Sequence, residues 1–97
     1  MKGLKFDQGK PMMNLLFEGM PDALLAVGEI LTFGAQKYEA HSWKNVENNE
    51  SRYRAAQIRH ALAQGYDSES GLLHRAHEAC NALFLLQLEI ERINGKQ

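Results

Sequence analysis

The chain has 97 residues, enough for one domain with a single modest core. Its 44% hydrophobic and 24% charged content is ordinary for a globular protein, and a net charge of -1 gives no basic footprint for duplex nucleic acid. No run reaches the roughly 18 apolar residues of a membrane span. The opening Met1-Lys2-Gly3-Leu4-Lys5-Phe6-Asp7 lacks the apolar segment of a signal peptide, and one cysteine excludes an intramolecular disulfide, so a cytoplasmic chain is expected.

Residues 1–20 have no clean period and are punctuated by Gly9-Lys10-Pro11 and Gly19-Met20-Pro21. They read as an irregular arm with one short helical turn around Asn14–Phe17. Pro21 suits a first helical position, and Leu24, Val27, Leu31, Gly34 and Tyr38 keep a 3-4-3-4 rhythm, so a helix is expected over about 21–38. Gly34 within that stripe implies close approach of a backbone or a ligand. A polar loop containing Trp43 follows, then a helix over about 51–64 with Gly65 as its terminator. A third helix is expected over about 70–93, capped by Ser68 or Ser70. It carries two apolar stripes. One is Ala76, Ala79, Leu83, Leu86, Ile90 and Ile93; the other is Leu73, Cys80, Phe84 and Leu88. Two shorter helices can hardly enclose it, so the pattern predicts an all-α bundle completed by dimerisation. Cys80 reads as a packed thiol.

The same helix bears a polar stripe. Ser70, His74, His77 and Asn81 are spaced 4, 3 and 4 apart, which places them on one helical face. Buried polar groups without partners lose about 1–3 kcal/mol each, so a partner helix, a metal or a ligand is expected to satisfy them. His60, His74 and His77 could ligate a transition metal together with Asp67 or Glu69. The acidic turn Asp67-Ser68-Glu69-Ser70-Gly71 suits magnesium and phosphate, or equally a plain helix cap. Lys5, Lys10, Lys37, Arg52 and Arg59 are cations able to answer a polyphosphate. Tyr38 and Trp43 could stack on a base or pack against the core.

In chain order, Lys5-Phe6-Asp7-x-Gly9-Lys10-Pro11, Thr32-Phe33-Gly34-Ala35-x-Lys37-Tyr38 with Trp43, Arg59-His60, Asp67-x-Glu69-Ser70-Gly71 and His74-x2-His77-x2-Cys80-Asn81 resemble one family. It is the phage and prophage family of dATP/dGTP diphosphohydrolase N-terminal domains, grouped with MazG-like pyrophosphohydrolases. The resemblance spans residues 4 to about 90. It implies a MazG-like helical fold, a homodimer or homotetramer, and magnesium-dependent cleavage of a purine deoxynucleoside triphosphate to monophosphate and pyrophosphate. Implied metal ligands are Asp67 and Glu69, and implied catalytic groups are Glu69, His60 and His77. Lys10, Lys37, Tyr38, Trp43, Arg59, His74 and Asn81 would bind substrate. MazG-type enzymes hold metal with Glu-x2-Glu on one helix and Glu-x2-Asp on the next; Glu47-x2-Glu50 and Glu78-x2-Asn81 match only the order of that set. A nucleotide-binding protein that sequesters its ligand intact, counteracting nucleotide-signalled antiphage defence, is therefore the alternative. A helical interaction module whose polar stripe pairs across a dimer is the third reading.

Overall fold

The computed structural model describes residues 8–95, which form an all-α domain with no strand among them. The Lys5-Phe6-Asp7 part of the first motif lies outside the described residues. Helix α1 spans Met13–Gly19, α2 Pro21–Lys37, α3 Asn49–Leu62 and α4 His74–Ile93, with a 3-10 turn at Ser42–Asn45. α1 extends the single turn expected in the arm to seven residues.

Pro21 opens α2 with Asp22 in its first turn, and Lys37 closes it, so both ends complement the helix dipole. Gly34 meets no atom within 4 Å of a built Cβ, so among the described residues no backbone outside its own helix approaches it. α3 stops at Leu62 because Ala63 is already extended; Gly65, with φ of 77°, turns the chain beyond the helix rather than terminating it.

The junction between α3 and α4 corrects the expected start of the last helix. Residues 65–74 close a tight clip in which Asp67 N–H donates to the Leu72 carbonyl (2.8 Å) and Gly71 N–H to the Asp67 carbonyl (2.8 Å). His74 N–H donates to the Gly65 carbonyl at 2.9 Å, beside an antiparallel bridge between Tyr66 and Leu73. Gly71 sits at φ of 75° and Leu73 is extended, so α4 begins at His74 rather than at 70. Neither Ser68 nor Ser70 caps it; Leu73 is the N-cap residue, without a side-chain hydrogen bond.

α4 lies mainly against α3 and secondarily against α2. The fully enclosed apolar core is small: Ile30 of α2 meets Ala76 and Cys80 of α4, with Ala26, Val27, Leu72 and Phe84 around them. Trp43 stacks on Phe84 with centroids 4.2 Å apart, and Tyr53 tilts against Phe84 at 4.9 Å. The Tyr53 hydroxyl donates to the Trp43 carbonyl at 2.7 Å, fixing the 3-10 turn to α3. Much apolar surface stays open, including Leu83, Leu86, Ile90 and Ile93 along α4 and Leu25 and Leu31 on α2. The accessible surface is 7734 Å², against about 5600 Å² for a compact monomer of this mass.

Candidate functional site

An open cleft of about 1620 Å³ runs between the C-terminal part of α2, the 3-10 turn, α3 and α4. Its polar wall comes from α3 and the α3–α4 clip, and its apolar wall from Ile30, Leu31, Leu83, Leu86 and Ile90. Arg52, Ala56, Arg59 and His60 reach it from one stripe of α3, because positions 3, 4 and 7 apart share a face. Arg52 was legible only as one cation among several; its spacing of two turns from Arg59 is the signal that pairs them. Among the described residues no ion pair engages either arginine.

The polar stripe finds its partners inside the chain. Ser70 is not on the helix, yet the clip returns its Oγ to 2.7 Å from His77 Nε2, and Leu72 N–H donates to the same oxygen at 3.1 Å. His60 and His74 bring their Nδ1 atoms to 2.9 Å, and the His77 ring stacks on His60 at 4.4 Å with an interplanar angle of 10°. Asn81, the buried polar residue of α4, donates from Nδ2 to the His77 carbonyl at 2.8 Å. Among the described residues no buried side-chain polar atom lacks a partner. A partner helix thus satisfies part of the stripe, since His60 of α3 pairs with His74, while the clip and the α4 backbone satisfy Ser70, His77 and Asn81 without a metal or ligand.

Asp67 Oδ2 accepts the backbone N–H groups of Glu69 (3.1 Å) and Ser70 (2.9 Å). These bonds, the Ser70 amide first, hold its carboxyl below the usual range. Glu69 turns elsewhere, its carboxylate paired with the Lys37 ammonium at the end of α2. That bond holds Lys37 above its ordinary pKa. Burial first, then the neighbouring imidazoles His77 and His74, lowers His60. Burial likewise lowers His77. Both rings are therefore neutral at pH 7 and able to accept a proton. Burial pushes the Cys80 thiol up to about 11, as expected of a packed cysteine.

The structure brings His60, Glu69, His77 and Asn81 to the cleft with Tyr38, Trp43 and Arg59. Asp67 and His74 stand beside this lining rather than in it, and Lys37 reaches it through Glu69. Lys10 lies in an exposed turn ahead of α1, outside the lining. Tyr38 is 70% exposed, with the Lys37 ammonium 5.4 Å from its ring. Trp43 gives one ring face to Phe84. Tyr53 and Phe84, which hold Trp43, carry no signal in the sequence that links them to the site. Glu50 pairs with Arg92 near the far end of α4, and Glu78 with Arg75 at 3.4 Å. Among the described residues Glu47, Glu50 and Glu78 do not converge into a metal-holding group, so the four-position Glu/Asp set is not assembled.

Magnesium prefers oxygen ligands in octahedral array. Glu69 is engaged by Lys37, and Asp67 faces two imidazoles, so these residues do not fit a resident magnesium ion.

No solved structure matches the chain. It is 35% identical over 92 residues to a protein of Salmonella phage PMBT28 named dATP/dGTP diphosphohydrolase. That alignment takes in 91% of this chain and 30% of the phage protein, so the chain spans under a third of its relative's length. Across residues 1–97 it matches the family described as dATP/dGTP diphosphohydrolase, N-terminal, and it belongs to that family.

Proposed function

We propose that the cleft binds a purine deoxynucleoside triphosphate, entering as its magnesium complex, and hydrolyses it to monophosphate and pyrophosphate. The observation that carries this reading is the pair Arg52 and Arg59, without an ion-pair partner among the described residues and on one face of α3 next to two neutral imidazoles. Guanidinium groups bind phosphate oxygens bidentately, with hydrogen bonds to charged groups worth about 1.5–3 kcal/mol each. Lys37 joins them by exchanging Glu69 for a phosphate oxygen, which frees the Glu69 carboxylate to orient water. Water attacks the α-phosphorus, the bond from that phosphorus to the bridging oxygen breaks, and pyrophosphate leaves. His77, a neutral imidazole in the cleft lining, takes the proton of the attacking water. The exposed Tyr38 ring and the edge of Trp43 offer apolar contact to the base.

A second copy of the chain covers the apolar wall. The surface in excess of a compact monomer is about 2100 Å², and a standard interface takes about 800 Å² from each partner. The exposed Leu83, Leu86, Ile90 and Ile93 stripe is the natural seam for a homodimer, which could pair further into a homotetramer.

The unassembled carboxylate set favours a second reading, in which the domain holds a nucleotide intact. Incubation with dATP or dGTP and magnesium, followed by chromatography, separates the two. Monophosphate and pyrophosphate support hydrolysis; intact nucleotide recovered from a stoichiometric complex supports sequestration.

A further inference from the structure

The α3–α4 junction holds a donor set that binding a nucleotide does not require. His60, Asp67 and His74 each offer a ligand atom, and these atoms all lie within 4.8 Å of one another. We propose that His60, Asp67 and His74 bind a divalent first-row transition ion of the zinc or cobalt class, with at least one coordination position open to water or an anion. The idea goes beyond the nucleotide reading and does not depend on it, because the ion would bind without nucleotide.

Two imidazoles and one carboxylate form a mixed nitrogen and oxygen set of the kind that suits zinc and its neighbours rather than magnesium. The His60 and His74 Nδ1 atoms are 2.9 Å apart. Two nitrogens on a tetrahedral ion at 2.0–2.1 Å stand about 3.3 Å apart. A few tenths of an ångström of side-chain rotation therefore admits the ion, which takes the place of the hydrogen bond between the rings.

The neighbours fix these ligands without joining them. The two backbone N–H groups donate to Asp67 Oδ2, which anchors the carboxylate to the clip. His77 stacks flat on His60 and sets its plane, while its own Nε2 is occupied with Ser70. Glu69 is drawn off by Lys37. Three residues thus remain as ligands, from the end of α3, the clip and the first turn of α4.

The test is titration of the EDTA-treated chain with cobalt(II), read by visible absorption, and with zinc(II), read by calorimetry. The proposal expects one ion per chain, no displacement by millimolar magnesium, and binding weakened at least about 10-fold in H74A and D67N. H41A, which removes the histidine directly ahead of the 3-10 turn and outside the donor set, and E69Q should bind as the unaltered chain does, and circular dichroism should report all four variants folded. If H74A or D67N loses its fold, H60Q is titrated in its place and should show the same weakening. Binding unchanged in H74A and D67N, binding lost in H41A, or no saturable binding to the folded chain would each overturn the assignment.

Discussion

Lys37, the last residue of α2, pairs with Glu69 in the clip between α3 and α4, across 32 positions of sequence. This contact ties the phosphate-binding candidate of one helix to the carboxylate candidate of another junction. Both side chains are well exposed, at 41% and 64%, so water screens the pair and it adds little stability. Glu69→Gln should leave the melting temperature nearly unchanged. It removes a negative charge beside the phosphates, so affinity for a purine dNTP should hold or rise while turnover falls. Calorimetry beside a pyrophosphate-release assay checks this split; weakened binding in E69Q would contradict it.

Gly71 turns the clip at φ of 75°, where a Cβ meets no atom within 4 Å. Gly71→Ala should therefore be penalised by backbone conformation alone, at roughly 1 kcal/mol. The measurement is the urea midpoint of unfolding. Because Gly71 N–H closes the turn on the Asp67 carbonyl, amide exchange at residues 67–72 should accelerate in the same variant.

The lowered His60 and His77 make stability depend on pH. His60 faces His77, His74, Asp67 and Arg59, and burial is the largest influence on both rings. Below the ordinary value of 6.5 the unfolded chain binds protons that the folded one resists, so stability rises with pH across that window. It is fully present above about 6.5 and is lost as pH falls through the folded values. Asp67 adds a second decline below 3.8, its ordinary value. In EDTA, the melting temperature should be lower at pH 5.5 than at pH 7.5, and H60Q should flatten part of that slope. A melting temperature that climbs on acidification would refute it.

Cys80 is 2% exposed, and its thiol is raised to about 11. At pH 8 it should react with a disulfide reagent only as fast as the domain opens, and at the rate of a free thiol in denaturant. Equal rates in both conditions would place Cys80 at the surface.

Much of this architecture was legible from spacing. The rhythm through Leu24, Val27 and Leu31 gave α2, and the two stripes of α4 gave a helix too apolar for its neighbours to cover, as its exposed Leu86 and Ile93 bear out. Spacing failed where the chain leaves helical geometry. Ser70 lies four before His74 and so counts onto a helical face, but positive φ at Gly71 breaks the helix between them. The stripe still forms, because the clip folds Ser70 back onto His77. Periodicity also carries no information about partners distant in sequence. That hid the Lys37–Glu69 pair and the Trp43–Phe84 stack, whereas residue chemistry had already grouped His60 with His74, and their Nδ1 atoms do meet. The family blocks marked Lys10, Lys37, Arg59, His60, His77 and Asn81 as one wall; Arg59, His60, His77 and Asn81 line one cleft, whereas Lys10 and Lys37 stand outside its lining.

A thermal-shift panel of nucleotides on the unaltered chain and on Arg59→Ala tests the nucleotide-binding cleft most directly. Ligand that binds only the folded state stabilises it by mass action, by about 2.7 kcal/mol at 100 times its Kd. dATP and dGTP should raise the melting temperature of the unaltered chain with magnesium present. Arg59→Ala, an exposed change, should melt at the same temperature without ligand and lose most of the shift. No shift with any purine nucleotide, or an undiminished shift in Arg59→Ala, would contradict a phosphate-binding cleft built on α3.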